Sequence, residues 1–460
     1  MRGIRSSGYM ILPFCALFYF CGNAYSADTV SNGDFMGELK ELKKIIARQE
    51  KRITELENQV RAYQSEMDRQ CVVLEKHDEV IKNEHLQDLS ARLNRELEGL
   101  KNICGLEIGA GITAVGQGTP NANNGDATDG EDSRFDGSYS VDLSIAKTFE
   151  DYGMAFIHTE AGQGDTIEGE LSVFSNVNRD AGESGAHVDI TEAWYEHYFL
   201  DNQIVFTAGK IDASGYIDTN EYANDECTQF LGHIFRNSAV IDWPDDNGLG
   251  CSFYLAPEGL DFISAGAVYM DEDGDWENLF DNPFIAAQLN FMPAEAFDYD
   301  AEMWGGNYRV IFWYNGAPHA RVKNPDDFER GNTGFGISCD QMITDICGVF
   351  GRFGWADPDR NDIGYDWSVG GRVSGRHWGR EEDVIAVAVG QAIPGEDYKD
   401  VNGFDNAETH LEAYYSCRVN EHFTLTPDMQ VIWEPNGGGT ISGEDSDTIF
   451  VYGIRSQIDF

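Results

Sequence analysis

Residues 204–250 read IVFTAGKIDASGYIDTNEYANDECTQFLGHIFRNSAVIDWPDDNGLG, and their interpretation decides the fold. Strict alternation over 204–211 is a strand, and a second strand begins at Gly248. The connection between them, 212–247, is longer than an idle loop in a compact domain. Its middle reads as a short helix, with Asn224 as N-cap, Asp225 and Glu226 in the positive first turn and Arg236 at the end. On that reading Cys227, Phe230, Leu231, Ile234 and Phe235 share one face. The remainder is polar, including Lys210, Asp212, Asp218, Asn220 and Gln229. A polar segment with one apolar face suits docking against the inner wall of something hollow.

Working outward, the chain has 460 residues, 50 of them Gly, with 12% aromatic residues and a formal charge of −48. Residues 27–103 hold 13 basic and 16 acidic residues, whereas 104–460 hold 17 and 64, so nearly all the imbalance lies in the second part. Such a surface repels nucleic acid, which excludes a DNA or RNA partner from the reading. Residues 1–26 combine Arg2 and Arg5, an apolar run over 9–21 and Ala24-Tyr25-Ser26 before Ala27, the pattern of a secretory signal peptide. No other apolar run approaches the length of a membrane helix, so membrane residence requires a barrel.

From 34 to 102 the composition shifts to Glu, Lys, Arg, Leu and Gln without Pro. Leu39, Leu42, Ile46, Gln49, Ile53, Leu56, Val60, Tyr63, Met67, Gln70, Leu74, His77 and Ile81 keep 3,4 spacing. This predicts a coiled coil over 27–103, on the order of 100 Å long. A lone amphipathic helix cannot bury its own stripe, so the rod implies partner chains.

Residues 104–460 form the third segment and read as an all-β transmembrane barrel of about 16 antiparallel strands. The predicted strands are 106–115, 135–148, 154–161, 187–199, 204–211, 248–256, 260–270, 284–291, 308–314, 334–342, 346–355, 365–378, 384–391, 410–419, 423–433 and 449–460. Connections after even strands are brief, as at Asp151-Tyr152, Asp201-Asn202 and Asn420-Glu421. Those after odd strands are long and acidic, as at 116–134, 162–186 and 392–409. The connection 292–307 breaks this pattern. Face parity agrees: Phe450, Tyr452, Ile454, Ile458 and Phe460 fall on one side of the last strand, and Arg455, Gln457 and Asp459 on the other. Arginines facing into a sheet suit a wet lumen and are too costly for a dry core.

GKID, DTNEYANDECTQFL and FRNSAVIDWPDDNGLG, followed by GFGISCDQMITDICGVFGRFGWAD, WSVGGRVSG and EHFTLTPDMQV, together resemble the carbohydrate-selective porins of the OprB type. The resemblance covers most of 104–460. It implies a sixteen-stranded bacterial outer-membrane barrel for passive diffusion of monosaccharides, with 212–247 as an inward-folded constriction loop. It also implies small neutral sugars and outer-membrane lipid as partners, and a homotrimer. The stalk then lies in the periplasm, where its partner is peptidoglycan or another periplasmic component.

A hydroxylated ring wants aromatic faces together with planar polar groups for its hydroxyls. The lumen parity set offers Trp194, Arg352, Arg372 and Arg376, and the loop adds Tyr222, Asn224, Glu226, Arg236, Asn237 and Trp243. Of these, Asn224, Glu226, Arg236 and Asn237 lie on the family motif. No catalytic constellation, metal-ligand spacing or cofactor fingerprint stands out, so the reading is of a channel and not an enzyme. Cys339 and Cys347 flank a tight turn with the same parity, which allows either a cross-strand bridge or two small apolar lipid-facing residues; the second is favoured.

Two other readings remain: a general cation-tolerant porin with an acidic mouth, and a barrel that anchors a tether working through the coiled coil. Deleting residues 34–102 separates pore from tether. Envelope detachment seen by electron microscopy, with sugar uptake intact, is the outcome expected if the stalk is a tether.

Overall fold

The computed structural model describes residues 44, 51, 105–123, 133–180, 187–274, 276–439 and 448–460. The chain divides into two units, Met1–Arg95 and Glu96–Phe460. In the first, Lys44 and Lys51 are helical; the signal-peptide and coiled-coil expectations otherwise lie outside the described residues.

The second unit is a closed antiparallel barrel whose sixteen strands pair in chain order, β1 closing on β16. The strands are β1 (Leu106–Thr119), β2 (Arg134–Phe149), β3 (Gly153–Gln163), β4 (Val188–Phe199), β5 (Ile204–Ile211), β6 (Gly248–Leu255), β7 (Ile263–Asp271) and β8 (Pro283–Phe291). They continue as β9 (Gly306–Arg321), β10 (Asn324–Thr344), β11 (Cys347–Ala356), β12 (Ile363–Ser374), β13 (Val384–Pro394), β14 (Glu408–Asn420), β15 (Phe423–Trp433) and β16 (Ile449–Asp459). Closure runs from Gly111 opposite Asp459 to Gly118 opposite Tyr452, so no sheet edge is left to pair with lipid or another chain. Among the described residues no helix is long and apolar enough to cross a membrane.

Alternation places the two faces as expected. On β16, Phe450, Tyr452 and Ile454 are exposed and Val451, Arg455 and Gln457 are buried. On β12, Val369 is exposed while Asp366 and Ser368 are buried. Apolar side chains outward and polar ones inward are the arrangement of a barrel in lipid with a hydrated interior.

Three local departures have physical causes. β9 and β10 outrun the apolar alternation by forming a long hairpin over 315–333, where polar and charged residues interrupt the lipid-facing pattern. At its tip Lys323 pairs with Asp397 at 2.7 Å and Asp400 at 2.8 Å, both on the short helix Glu396–Asn402. The irregular connection 292–305 contains two short helices, Pro293–Phe297 and Ala301–Trp304, the first started by a proline in its first turn. β12 ends at Ser374, and Gly375–Trp378 forms a 3-10 turn instead of continuing the strand.

Cys339 and Cys347 are both free. Cys339 stands opposite Gly351 and Cys347 opposite Thr344, so the register does not oppose them and the cross-strand bridge is corrected.

Candidate channel lining

The segment 212–247 leaves the wall between β5 and β6 and is bonded to strands far around the cylinder. Asn220 donates to Ser338 Oγ and the Cys339 carbonyl on β10. Ser238 Oγ and Ala239 N donate to Asp366 on β12 at 2.8 and 2.7 Å. Leu231 N and Gly232 N donate to the two oxygens of Glu412 on β14, at 2.7 and 2.9 Å. β14 stands eight strands from β6 in the ring.

A further buried anchor is Arg352 on β11. Its Nε lies 3.0 Å from Asp218 Oδ1, with side-chain exposures of 0% and 1%. The same guanidinium donates to the carbonyls of Asp218 at 2.9 Å and Phe235 at 2.5 Å. Ser238 N donates to Asp218 Oδ2 at 2.7 Å, so one ion pair holds both limbs of the loop. Apolar packing follows the same path: Phe230, Ile234 and Phe235 meet Phe350, Ala386, Ala388 and Tyr414. Such close approach needs small residues in the wall. A Cβ on Gly348 would stand 2.2 Å from the Tyr222 ring, and one on Gly354 would stand 2.3 Å from Ser238 Oγ.

The helix expected from Asn224 to Arg236 is shorter, spanning only His233–Arg236. Upstream, side chains compete for the backbone donors: Asp225 Oδ1 accepts from Cys227 N, and Gln229 Oε1 accepts from Asn224 N and Asp225 N. Further along, Glu412 takes the Leu231 and Gly232 donors. The apolar face survives without the helix, since Phe230, Leu231, Ile234 and Phe235 are all buried.

A second loop also enters the interior. From sequence alone, residues 166–180 are only part of a long acidic connection. Phe174 N and Ser175 N donate to Glu408 on β14, Gln430 on β15 donates to the Val177 carbonyl, and Arg179 N donates to the Leu231 carbonyl. Ile167, Leu171 and Val177 pack with Ile432, Ile449 and Val451. The apolar run Leu171, Val173, Phe174 in an otherwise acidic loop is the signal that could have marked it.

The residues predicted to line the path divide into two groups. Glu226 and Arg236 form an ion pair on the loop and keep part of their surface, with side-chain exposures of 21% and 18%. Asp212 lies 4.0 Å from the same guanidinium. Asn224 is partly buried, its N–H donating to Gln229. Arg372 reaches 3.8 Å from Glu221 and lies over the Tyr222 ring at 4.9 Å. Trp194 stacks on Phe156 at 5.0 Å, and its indole N–H donates to Glu192 at 2.9 Å.

The other group is packed under the loop or stands at the rim. Arg352, Tyr222 and Asn237 are buried, and Trp243 packs on Phe284 at 5.7 Å. Arg376 stands in the turn after β12, paired with Asp345 at the short-turn rim. Parity alone could not separate an arginine that faces water from one covered by a loop. Asp218 and Asp366, which carry most of the anchoring, were not singled out from sequence as anchors; nothing distinguishes them from the many other acidic residues.

A barrel of this closure, face pattern and inward-tied loop defines a bacterial outer-membrane channel. The carbohydrate-selective porin, OprB family model matches residues 127–460, and the chain belongs to that family. An uncharacterized protein of Aquifex aeolicus is 27% identical over 256 residues, covering 55% of this chain; the match spans 63% of that relative's length. The high-pH structure of Pseudomonas putida OprB superposes with a TM-score of 0.65 at 16% identity, covering 77% of this chain and 94% of that one. The low-pH structure of the same protein gives 0.47 at 12% identity over 77% and 93%. At these identities the likeness is one of fold.

The two inner loops meet at Asp180, which lies outside the strands. Its Oδ1 accepts from Ser140 Oγ at 3.1 Å and Cys227 Sγ at 3.5 Å, while Oδ2 is buried without a partner. Burial, reinforced by the Glu226 charge and opposed by the Ser140 and Cys227 hydrogen bonds and by Arg455, pushes this carboxyl up to about 7. An acid whose value is raised on folding holds its proton longer in the folded state, so its contribution to stability falls as pH rises from about 4 to about 7. The thermal midpoint of the parent protein is therefore expected to drop over that range more than that of Asp180→Asn, measured by circular dichroism in detergent; equal slopes would contradict this.

Proposed function

We propose that this barrel is a passive channel selective for small neutral carbohydrates, monosaccharides first, with 212–247 as its constriction. The observation that carries the reading is the loop itself: it is tied to β10, β11, β12 and β14 by hydrogen bonds and an ion pair, while its Glu226–Arg236 pair keeps a partly wet surface. A planar carboxylate beside an aromatic ring, here Glu192 on Trp194, together with the guanidinium groups of Arg236 and Arg372, suits a neutral ring with alternating hydroxyl and C–H surface. Asn224, Glu226, Arg236, Arg372 and Trp194 are the contacts assigned to the passing sugar. No step of covalent chemistry is needed.

In the same reading residues 27–103 form a periplasmic coiled-coil stalk joining three barrels, with peptidoglycan or another periplasmic component at its far end. Liposome swelling tests the channel: proteoliposomes are expected to swell faster in glucose than in a size-matched charged solute. Equal rates would remove selectivity, and a cation-directed reversal potential in planar bilayers would favour the general cation-tolerant porin instead.

A further inference from the structure

A recess of about 360 Å³ opens in the inner wall, lined by none of the five side chains assigned above to the passing sugar. It lies toward the short turns, because its walls come from the start of β5, the end of β6, the start of β7 and the end of β8, and all four meet on that side. Its roof is Tyr216 on the inward loop. The volume is in the lower range for small-molecule pockets.

Small residues create the space. A Cβ on Gly215 would meet nothing within 4 Å, and one on Gly266 would meet only the Tyr216 carbonyl at 3.9 Å. Tyr254, 42% exposed, adds a second aromatic ring. Ser252 and Ser264 contribute hydroxyls. Asn290 donates from Nδ2 to Asn307 Oδ1 at 2.9 Å, and its own Oδ1 is buried with no hydrogen-bond partner, an acceptor that costs free energy unless a ligand or water supplies a donor. Glu196 uses one oxygen to accept from Thr207 at 3.1 Å, and Arg309 is held by Asp340. With Arg309 neutralised by Asp340, Glu196 is left as a carboxylate acceptor that the hydroxyls of a neutral ring can meet.

We propose that this recess is a second, exit-side subsite for a single hydroxylated ring, which a sugar occupies after passing the loop and before reaching the periplasm. The inference rests on the sugar-channel reading. Tyr216 and Tyr254 meet the C–H surface of the ring, and Asn290, Ser252, Ser264 and Glu196 meet its hydroxyls. A site below the constriction raises the local occupancy of sugar on the exit side and makes block by sugar depend on the side of addition.

Full-length protein in planar bilayers, with glucose added to one side at a time, tests this through sugar-dependent current noise. Gly266→Leu fills the recess, and Tyr254→Leu removes a ring that already faces open space. Both are expected to raise the half-blocking glucose concentration from the short-turn side by about tenfold, with sugar-free conductance and block from the long-loop side unchanged. Parent-like noise from both sides in either inserted variant overturns the subsite and leaves the channel reading standing. Absence of sugar-dependent noise in the parent protein overturns both. Where Gly266→Leu does not insert, Tyr254→Leu decides.

Discussion

The pair between Asp218 and Arg352 is the constraint on which the interior depends. Two opposite charges without solvent contact are expensive, and the cost is recovered only when the remaining donors and acceptors are satisfied. Here they are: the guanidinium also serves two loop carbonyls, and the second carboxylate oxygen receives Ser238 N. Asp218 adopts φ of 58°, a left-handed conformation that aspartate tolerates better than most residues. The loop turns at that residue, so the point that bends it is also the point that fixes it to the wall.

Around this pin the barrel and loop are mutually dependent. Inward polar residues such as Asp366, Glu408 and Glu412 would face water in an empty cylinder; here each accepts backbone N–H groups that the irregular loops cannot satisfy internally. The loops also cover apolar wall residues, including Phe350, Val268 and Met270, that would otherwise line an aqueous bore. The interior therefore has a packed part and a wet part. Glu226, Arg236, Arg372 and Trp194 fall on or near the wet boundary, and Tyr222, Asn237, Trp243 and Arg352 fall within the packed part.

Much of the fold was legible because a strand in lipid obeys period two and a barrel needs short turns on one side. β5 and β15 coincide with their sequence readings, and most others agree within a few residues. The exceptions sit where that physics lapses: the polar extension of β9 and β10 lies outside any lipid-facing pattern, and β12 stops at a 3-10 turn that alternation alone does not signal. The site was less legible. Alternation says that Arg352 and Arg372 both face inward, and only the course of the loop says that one is covered and the other is not. The short helix was over-extended because Asp225, Gln229 and Glu412 satisfy backbone donors that a helix would have used.

On the proposed reading the inward loop narrows the path, and Arg352 holds it there. Single-channel conductance of Arg352→Met measures this most directly. Losing one partner of a buried pair costs about 3–5 kcal/mol, enough to free the loop while the strand ladder stays closed. The account predicts a larger, noisier conductance with weaker discrimination between glucose and a charged solute of similar size. Parent-like conductance and discrimination in a correctly inserted Arg352→Met barrel would contradict it.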